Sequence, residues 1–360
     1  MLTRRLGRHR RVLAWCLGWL SVTSWLGGCA SLESEKPTSR PVQTMWPAPP
    51  DPTRFKFVTV LRTISDIRAE TEDESLMRAL TGKNPSEEIV YEKPTALAAR
   101  QGRVYVADPE RSAVVVFDVP RRRVFRFGTR EPNTVSRPNG IALDDEGKAY
   151  VLDTRRQTVM VFDGLGLFLR SIGKEKDFEK PVSVAVSRSG DRVYVVDRGS
   201  LNGSDHKVVV FDANGEKLRE MGPRGKREGE FNIPLDAAIT PDGSLVVLDA
   251  GNFRVQIFDS EGNFVRAFGR VGNGVGQFSR PRGLAVDDDG NIYVSDASFN
   301  NVQIFNPEGE LLMAIGGTDM RGAAGEYALV GPLAVDERGF LYVGDLFFRK
   351  VEVYQRMWRN

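Results

Sequence analysis

The chain repeats itself, and the repeat constrains its fold more than any other feature. From Arg280 to Gly316 it reads RPRGLAVDDDGNIYVSDASFNNVQIFNPEGELLMAIG, and three runs there alternate apolar and polar residues as half-buried strands do. They are Gly283–Val286, Ile292–Asp296 and Val302–Phe305, and a fourth run, Glu310–Ile315, follows. Asp289-Gly290-Asn291 suits a tight hairpin and Asn306-Pro307-Glu308-Gly309 a longer one. The stretch therefore encodes a four-stranded antiparallel meander. Such a sheet, apolar on both faces, needs copies of itself as neighbours.

Six copies are present. Each begins near a proline (Pro94, Pro138, Pro181, Pro234, Pro281, Pro332), tolerated at the first residue of a strand because no ladder donor is lost there. Each second strand ends in an aspartate: Asp108, Asp153, Asp197, Asp249, Asp296 and Asp345. Each third strand carries an aromatic: Phe117, Phe162, Phe211, Phe258, Phe305 and Tyr354. A period of about 45 residues with four strands per unit predicts an all-β, six-bladed β-propeller of four-stranded antiparallel blades. The sixth unit has only three strands before the chain stops. Val60-Leu61-Arg62-Thr63-Ile64-Ser65 carries the outer-strand pattern of Phe168–Gly173 and Phe264–Gly269, so residues of about 55–65 are expected to close the last blade.

At these residues a family resemblance emerges. R-P-x-G-[IL]-A-[VL]-D, then [IA]-Y-V-x-D, then V-x-[IV]-F resembles the NHL repeat, with units two and five matching best. Gly269, Gly272, Gly274, Gly276, Gln277 and Phe278 resemble its inter-blade segment. The resemblance covers about residues 55–355 and implies a fold, not an activity, because propellers of this type host binding modules and enzymes alike.

Residues 1–28 read as a targeting segment. A basic start precedes an apolar run, Val12 to Leu26, too short for a confident membrane span, and Leu26-Gly27-Gly28-Cys29 resembles the lipobox of bacterial lipoproteins. That resemblance implies acyl chains on Cys29 and firm anchoring to a bilayer; Ala30 in place of aspartate points to the outer membrane, facing the periplasm. Residues 29–54, rich in Ser, Thr, Glu and Pro, read as a tether in which Trp46 either packs on the propeller rim or belongs to a docking peptide. Residues 55–360 form the propeller, expected to be a monomer. The longest connection, 66–92, contains Thr71-Glu72-Asp73-Glu74 as a helix cap, an apolar face of Leu76, Met77 and Leu80, and Gly82 as a stop. It is either a lid over the central channel or a loop that packs down.

The net charge of +2 is misleading. Five of the 50 basic residues precede Cys29 and no acid does, leaving 45 against 48 acidic residues and no compositional argument for nucleic acid. Both cysteines, Cys16 and Cys29, fall outside the folded part, so no disulfide, thiolate metal site or cysteine nucleophile is expected there.

The loops of the usual binding face, which join second to third strands and one blade to the next, supply Arg111, Arg155, Arg156, His206, Lys207, Arg254, Arg349 and Lys350 as a candidate basic rim. Longer inter-blade loops add Arg224, Lys226, Arg227, Arg270, Arg280 and Arg282, and the irregular link Arg198–Lys207 is the best single contact loop. The six strand-end aspartates recur once per blade, which favours backbone hydrogen bonding over a catalytic or metal-binding ring. Lyases of this fold that amidate peptides hold zinc with several histidines, whereas the chain beyond residue 28 has His206 alone, and zinc needs about three protein ligands. No metal and no cofactor are expected, apart from acyl chains on Cys29. The function expected is recognition or scaffolding at the cell envelope, with a protein or an anionic glycan as partner. The rival is a calcium- or zinc-dependent lyase or hydrolase drawing on Asn139, Asp236 and Asn252, or a peptidoglycan-binding protein.

Overall fold

A computed structural model describes residues 44–357, and six antiparallel sheets form a ring in it. Blade one spans residues 96–127, blade two 138–172, blade three 181–221, blade four 234–268 and blade five 281–315. Blade six is assembled from both ends of the described chain. Its strands Val330–Val335, Phe340–Asp345 and Lys350–Arg356 are followed in space by Phe55–Leu61, which pairs antiparallel with Lys350–Arg356 from Phe55↔Arg356 to Leu61↔Val351. A closing strand is thus in place, but it ends at Leu61: Ile64–Asp66, expected within the strand by likeness to Phe168–Gly173, is a short 3-10 helix, and Met45–Trp46 adds a fifth strand outside. The sheet therefore begins within the segment read as tether. Trp46 is buried edge-on against Tyr354, with ring centroids 5.2 Å apart, which is the rim-packing alternative. Residues 1–28 and Cys29 lie outside the described residues.

The sixth inner strand starts at Val330, which pairs with Asp345 as Pro281 pairs with Asp296. Pro332 therefore stands two places further into its strand than the prolines of the other units.

Six apolar clusters fill the six gaps between consecutive blades. The inner strands converge on the axis and carry alanine at one shared register: Ala98, Ala142, Ala185, Ala238, Ala285 and Ala334. Opposite it the second strand carries tyrosine in five blades, small against large, which is how converging sheets fill a taper. In three blades that tyrosine hydroxyl reaches back to the aspartate ending the inner strand: Tyr150 to Asp144 at 3.2 Å, Tyr293 to Asp287 at 2.9 Å and Tyr342 to Asp336 at 3.2 Å. The A-x-D and Y-V elements of the repeat are therefore two halves of one buried hydrogen bond.

Within 66–92, residues Glu72–Thr81 form a helix. Thr71 caps it, Glu74 reciprocates at the Thr71 backbone, and Gly82 ends it in the left-handed conformation. No residue of 66–92 lines the central channel. Leu76, Met77 and Leu80 are exposed. None of the described helices is long and apolar enough to cross a membrane.

Candidate binding face

Antiparallel meanders place the links between second and third strands, and those between blades, on one face of the ring. On this face the six strand-end aspartates are fully buried and each carboxylate binds backbone N–H groups. Asp153 accepts from Ser136 and Arg137 of the incoming inter-blade loop and from Arg155 and Arg156 of the following turn, at 2.6–3.2 Å. Asp108 and Asp345 do the same in their blades. Each aspartate ties two loops together and has little capacity left for a ligand.

The eight candidate cations divide into three groups. Lys350 is 2 % exposed: its ammonium donates to the carbonyls of Gly322, Ala323 and Glu326 and to Glu352 Oε1 at 2.6 Å, beneath the rings of Tyr327 and Phe348. His206 is fully buried, accepting from Ile233 N–H through Nδ1 at 3.0 Å and donating through Nε2 to the Ser200 carbonyl at 3.0 Å. Both are corrections to the expected rim. A lysine whose donors are all used inside a blade, and a buried histidine with both ring nitrogens engaged, offer nothing to a partner.

Arg254, Lys207, Arg111 and Arg349 are partly or fully exposed but paired. Arg254 bonds to Asp249 at 2.8 Å and Lys207 to Glu220 at 2.9 Å, while Arg111 and Arg349 both pair with Glu92. Arg155 and Arg156 are exposed. Arg156 reaches Thr134 Oγ1 at 3.2 Å, and Arg155 has no side-chain partner among the described residues.

Apolar side chains were the missed component. Leu201, Val271, Val275, Met320 and Phe347 are exposed on loops of this face, as are Leu76, Met77 and Leu80 of the helix, against Val119, Leu165, Leu167 and Met357 outside the strands at the opposite face. Methionine, aromatic and arginine side chains gathered on one surface are the composition of interface cores. The signal was legible as apolar residues inside glycine-rich loops, where strand periodicity gives them no core to enter.

The central channel has a volume of about 390 Å³. Towards the binding face a chain of hydrogen bonds runs from blade to blade. Thr95 donates to the Pro138 carbonyl, Asn139 to the Val182 carbonyl, Ser183 to Asp236 at 2.6 Å, Leu284 N–H to Asp236 at 2.8 Å, and Ser295 to the Gly331 carbonyl. Asp236 lies deep in the ring, part-exposed to the lumen and without a cationic partner; burial pushes its carboxyl up to about 6. Of the three groups named for the rival reading, Asn139 and Asp236 line the channel. Asn252 does not, being bonded to the Gly225 carbonyl and Asp249. At the far mouth Arg100 pairs with Asp145 at 2.7 Å, and Arg188 of blade three pairs with Asp288 of blade five. Among the described residues no three His, Cys, Asp or Glu side chains converge as a metal site would require.

The sequence profile of the NHL repeat matches residues 231–258 and 278–305, each running from an inter-blade loop through the third strand of a blade. The chain carries NHL repeats. The matched units are four and five; units two and five were expected to match best, and of these only unit five is matched. Unit four is matched although Ile233 stands in place of the arginine before its proline. Among solved structures the chain is similar to a protein of unknown function from Bacteroides thetaiotaomicron (TM-score 0.60, 16 % identity, 84 % of this chain and 76 % of that one). It is also similar to Kuenenia stuttgartiensis hydrazine synthase (0.54, 19 %, 73 % and 77 %) and to virginiamycin B lyase from Staphylococcus aureus (0.52, 10 %, 74 % and 95 %). At these identities the likeness is one of fold.

Proposed function

We propose that this propeller is a lipid-anchored recognition module of the bacterial cell envelope, anchored through Cys29 to the outer membrane and gripping a partner protein with the face described above. The observation carrying this reading is the gathering of exposed Leu, Val, Met and Phe side chains, with unpaired arginines, on one face of the ring. Exposed apolar groups concentrated in this way mark protein contact surfaces. The NHL-type fold supports the same reading, since its loops vary while the blades stay fixed.

Binding rather than catalysis is favoured by the state of the titratable groups. The strand-end carboxylates are occupied by backbone donors, and both nitrogens of His206 are engaged. The test is chemical crosslinking in intact cells expressing the lipidated chain, with crosslinked peptides identified by mass spectrometry. Links from Lys83 or Lys226, both exposed on this face, to one recurrent protein are the expected result. A set of links with no recurrent partner overturns the scaffold reading.

A further inference from the structure

The cations of the binding face are not equally available. Arg111 and Arg349 share Glu92, Arg227 pairs with Glu230 at 2.6 Å, and Arg321 pairs with Asp319 and Glu326. At the junction of blades one and two the pattern changes. Arg130, Arg137 and Arg155 are exposed and have no side-chain partner among the described residues. Arg156 stands 3.7 Å from Asp153, whose oxygens already receive four backbone N–H groups. An open hollow of about 660 Å³ lies there, lined by Arg111, Arg155 and Arg156 and by four hydroxyl side chains, Thr134 among them. Its lining contains no carboxylate and no aromatic ring.

We propose that this hollow binds a phosphoryl group, either as free phosphate or on the headgroup of an anionic lipid. Guanidinium forks and hydroxyls converging from two blades match a tetrahedral oxyanion, whose oxygens accept from several directions; a planar carboxylate is filled by a single fork. The missing aromatic ring removes the platform on which a sugar would stack. Arg155 has no counter-charge, and Arg156 has only Asp153 at 3.7 Å, whose oxygens are already filled by backbone N–H groups, so an entering anion supplies what these two arginines lack while Arg111 keeps Glu92. The inference shares only its location with the protein-binding reading. Lys83 and Lys226 do not line the hollow, so crosslinking and anion binding succeed or fail separately.

The test is isothermal titration calorimetry on the full lipidated chain in neutral detergent at low salt. Three titrants are used: inorganic phosphate, dihexanoylphosphatidylglycerol, and dihexanoylphosphatidylcholine as the zwitterionic control of zero net charge. Saturable binding of phosphate assigns the hollow to small phosphates. Saturable binding of phosphatidylglycerol, without phosphate or phosphatidylcholine binding, assigns it to lipid. In either case R155A/R156A weakens binding by about tenfold or more, the loss of charge-assisted hydrogen bonds. R123A, an exposed arginine on the outer strand of blade one, leaves it unchanged. Saturable binding of neither anion, or equal loss in R123A, overturns the proposal.

Discussion

Asp236 in the channel wall and Lys350 inside blade six are held by the fold in opposite ways. Asp236 sits in the channel wall with its carboxyl pushed up to about 6 from an ordinary 3.8, because burial opposes ionisation more than Ser183 and two N–H groups favour it. The folded protein therefore keeps a proton that the unfolded chain releases. The resulting stabilisation is complete below about pH 4 and is lost as the pH rises to about 6. It amounts to about 2–3 kcal/mol at most. Asp236→Asn, which does not titrate but gives up the oxygen that accepts from Leu284 N–H, is expected to lower stability somewhat and to flatten its fall in urea unfolding between pH 4 and 6; an unchanged slope would show that another group governs it. Lys350 is the opposite case, a buried cation held by three carbonyls and Glu352. Lys350→Met leaves Glu352 alone in the blade and should cost about 3–5 kcal/mol, with K350M/E352L recovering part of the loss. Equal stability of the single and double variants in chemical denaturation would contradict the pairing.

Strands and turns were legible because their signals are local. Period-two alternation, Asx-Gly turns and the capping box at Thr71 each specify an element within a few residues; the strands of the six units and the 72–81 helix are found, while the closing strand stops at Leu61, short of the expected 65. Burial of individual cations was not legible. His206 and Lys350 sit in loop-like surroundings, and only the arrival of distant segments, residues 232–233 in one case and 322–326 in the other, removes them from solvent. The paired state of Arg111 and Arg349 was hidden for the same reason, since Glu92 lies in another loop. The 72–81 helix allows a prediction at this scale. Its exposed Leu76 and Leu80 make no core contact, so L76S/L80S should leave the melting temperature within about 2 °C of wild type. The same variant should lower the yield of partner crosslinks through Lys83. A clear drop in melting temperature would mean that the apolar face is covered in the protein itself.

For the molecule as a whole, stability is distributed over six gaps, each filled by one apolar cluster, so opening any one of them opens the ring. Blade six is where the two ends of the described chain are joined. Removing residues 44–61 strips the outer strands from Lys350–Arg356 and takes Trp46, Phe55 and Leu61 out of two clusters. The shortened protein is expected to aggregate through the exposed edge or to melt far below wild type in a thermal scan. A coincident melting curve would contradict closure by this strand.

The pairing of Phe55 with Arg356 also sets an order of events. Five blades can form one after another from neighbouring stretches of chain as each is completed. The closing strand, although among the first residues of the propeller to be made, must wait without a partner until almost the last has appeared. The ring therefore behaves like a clasp: assembly ends with one long-range, slow joining step, and until then the earliest strand is the one most open to misplaced pairing.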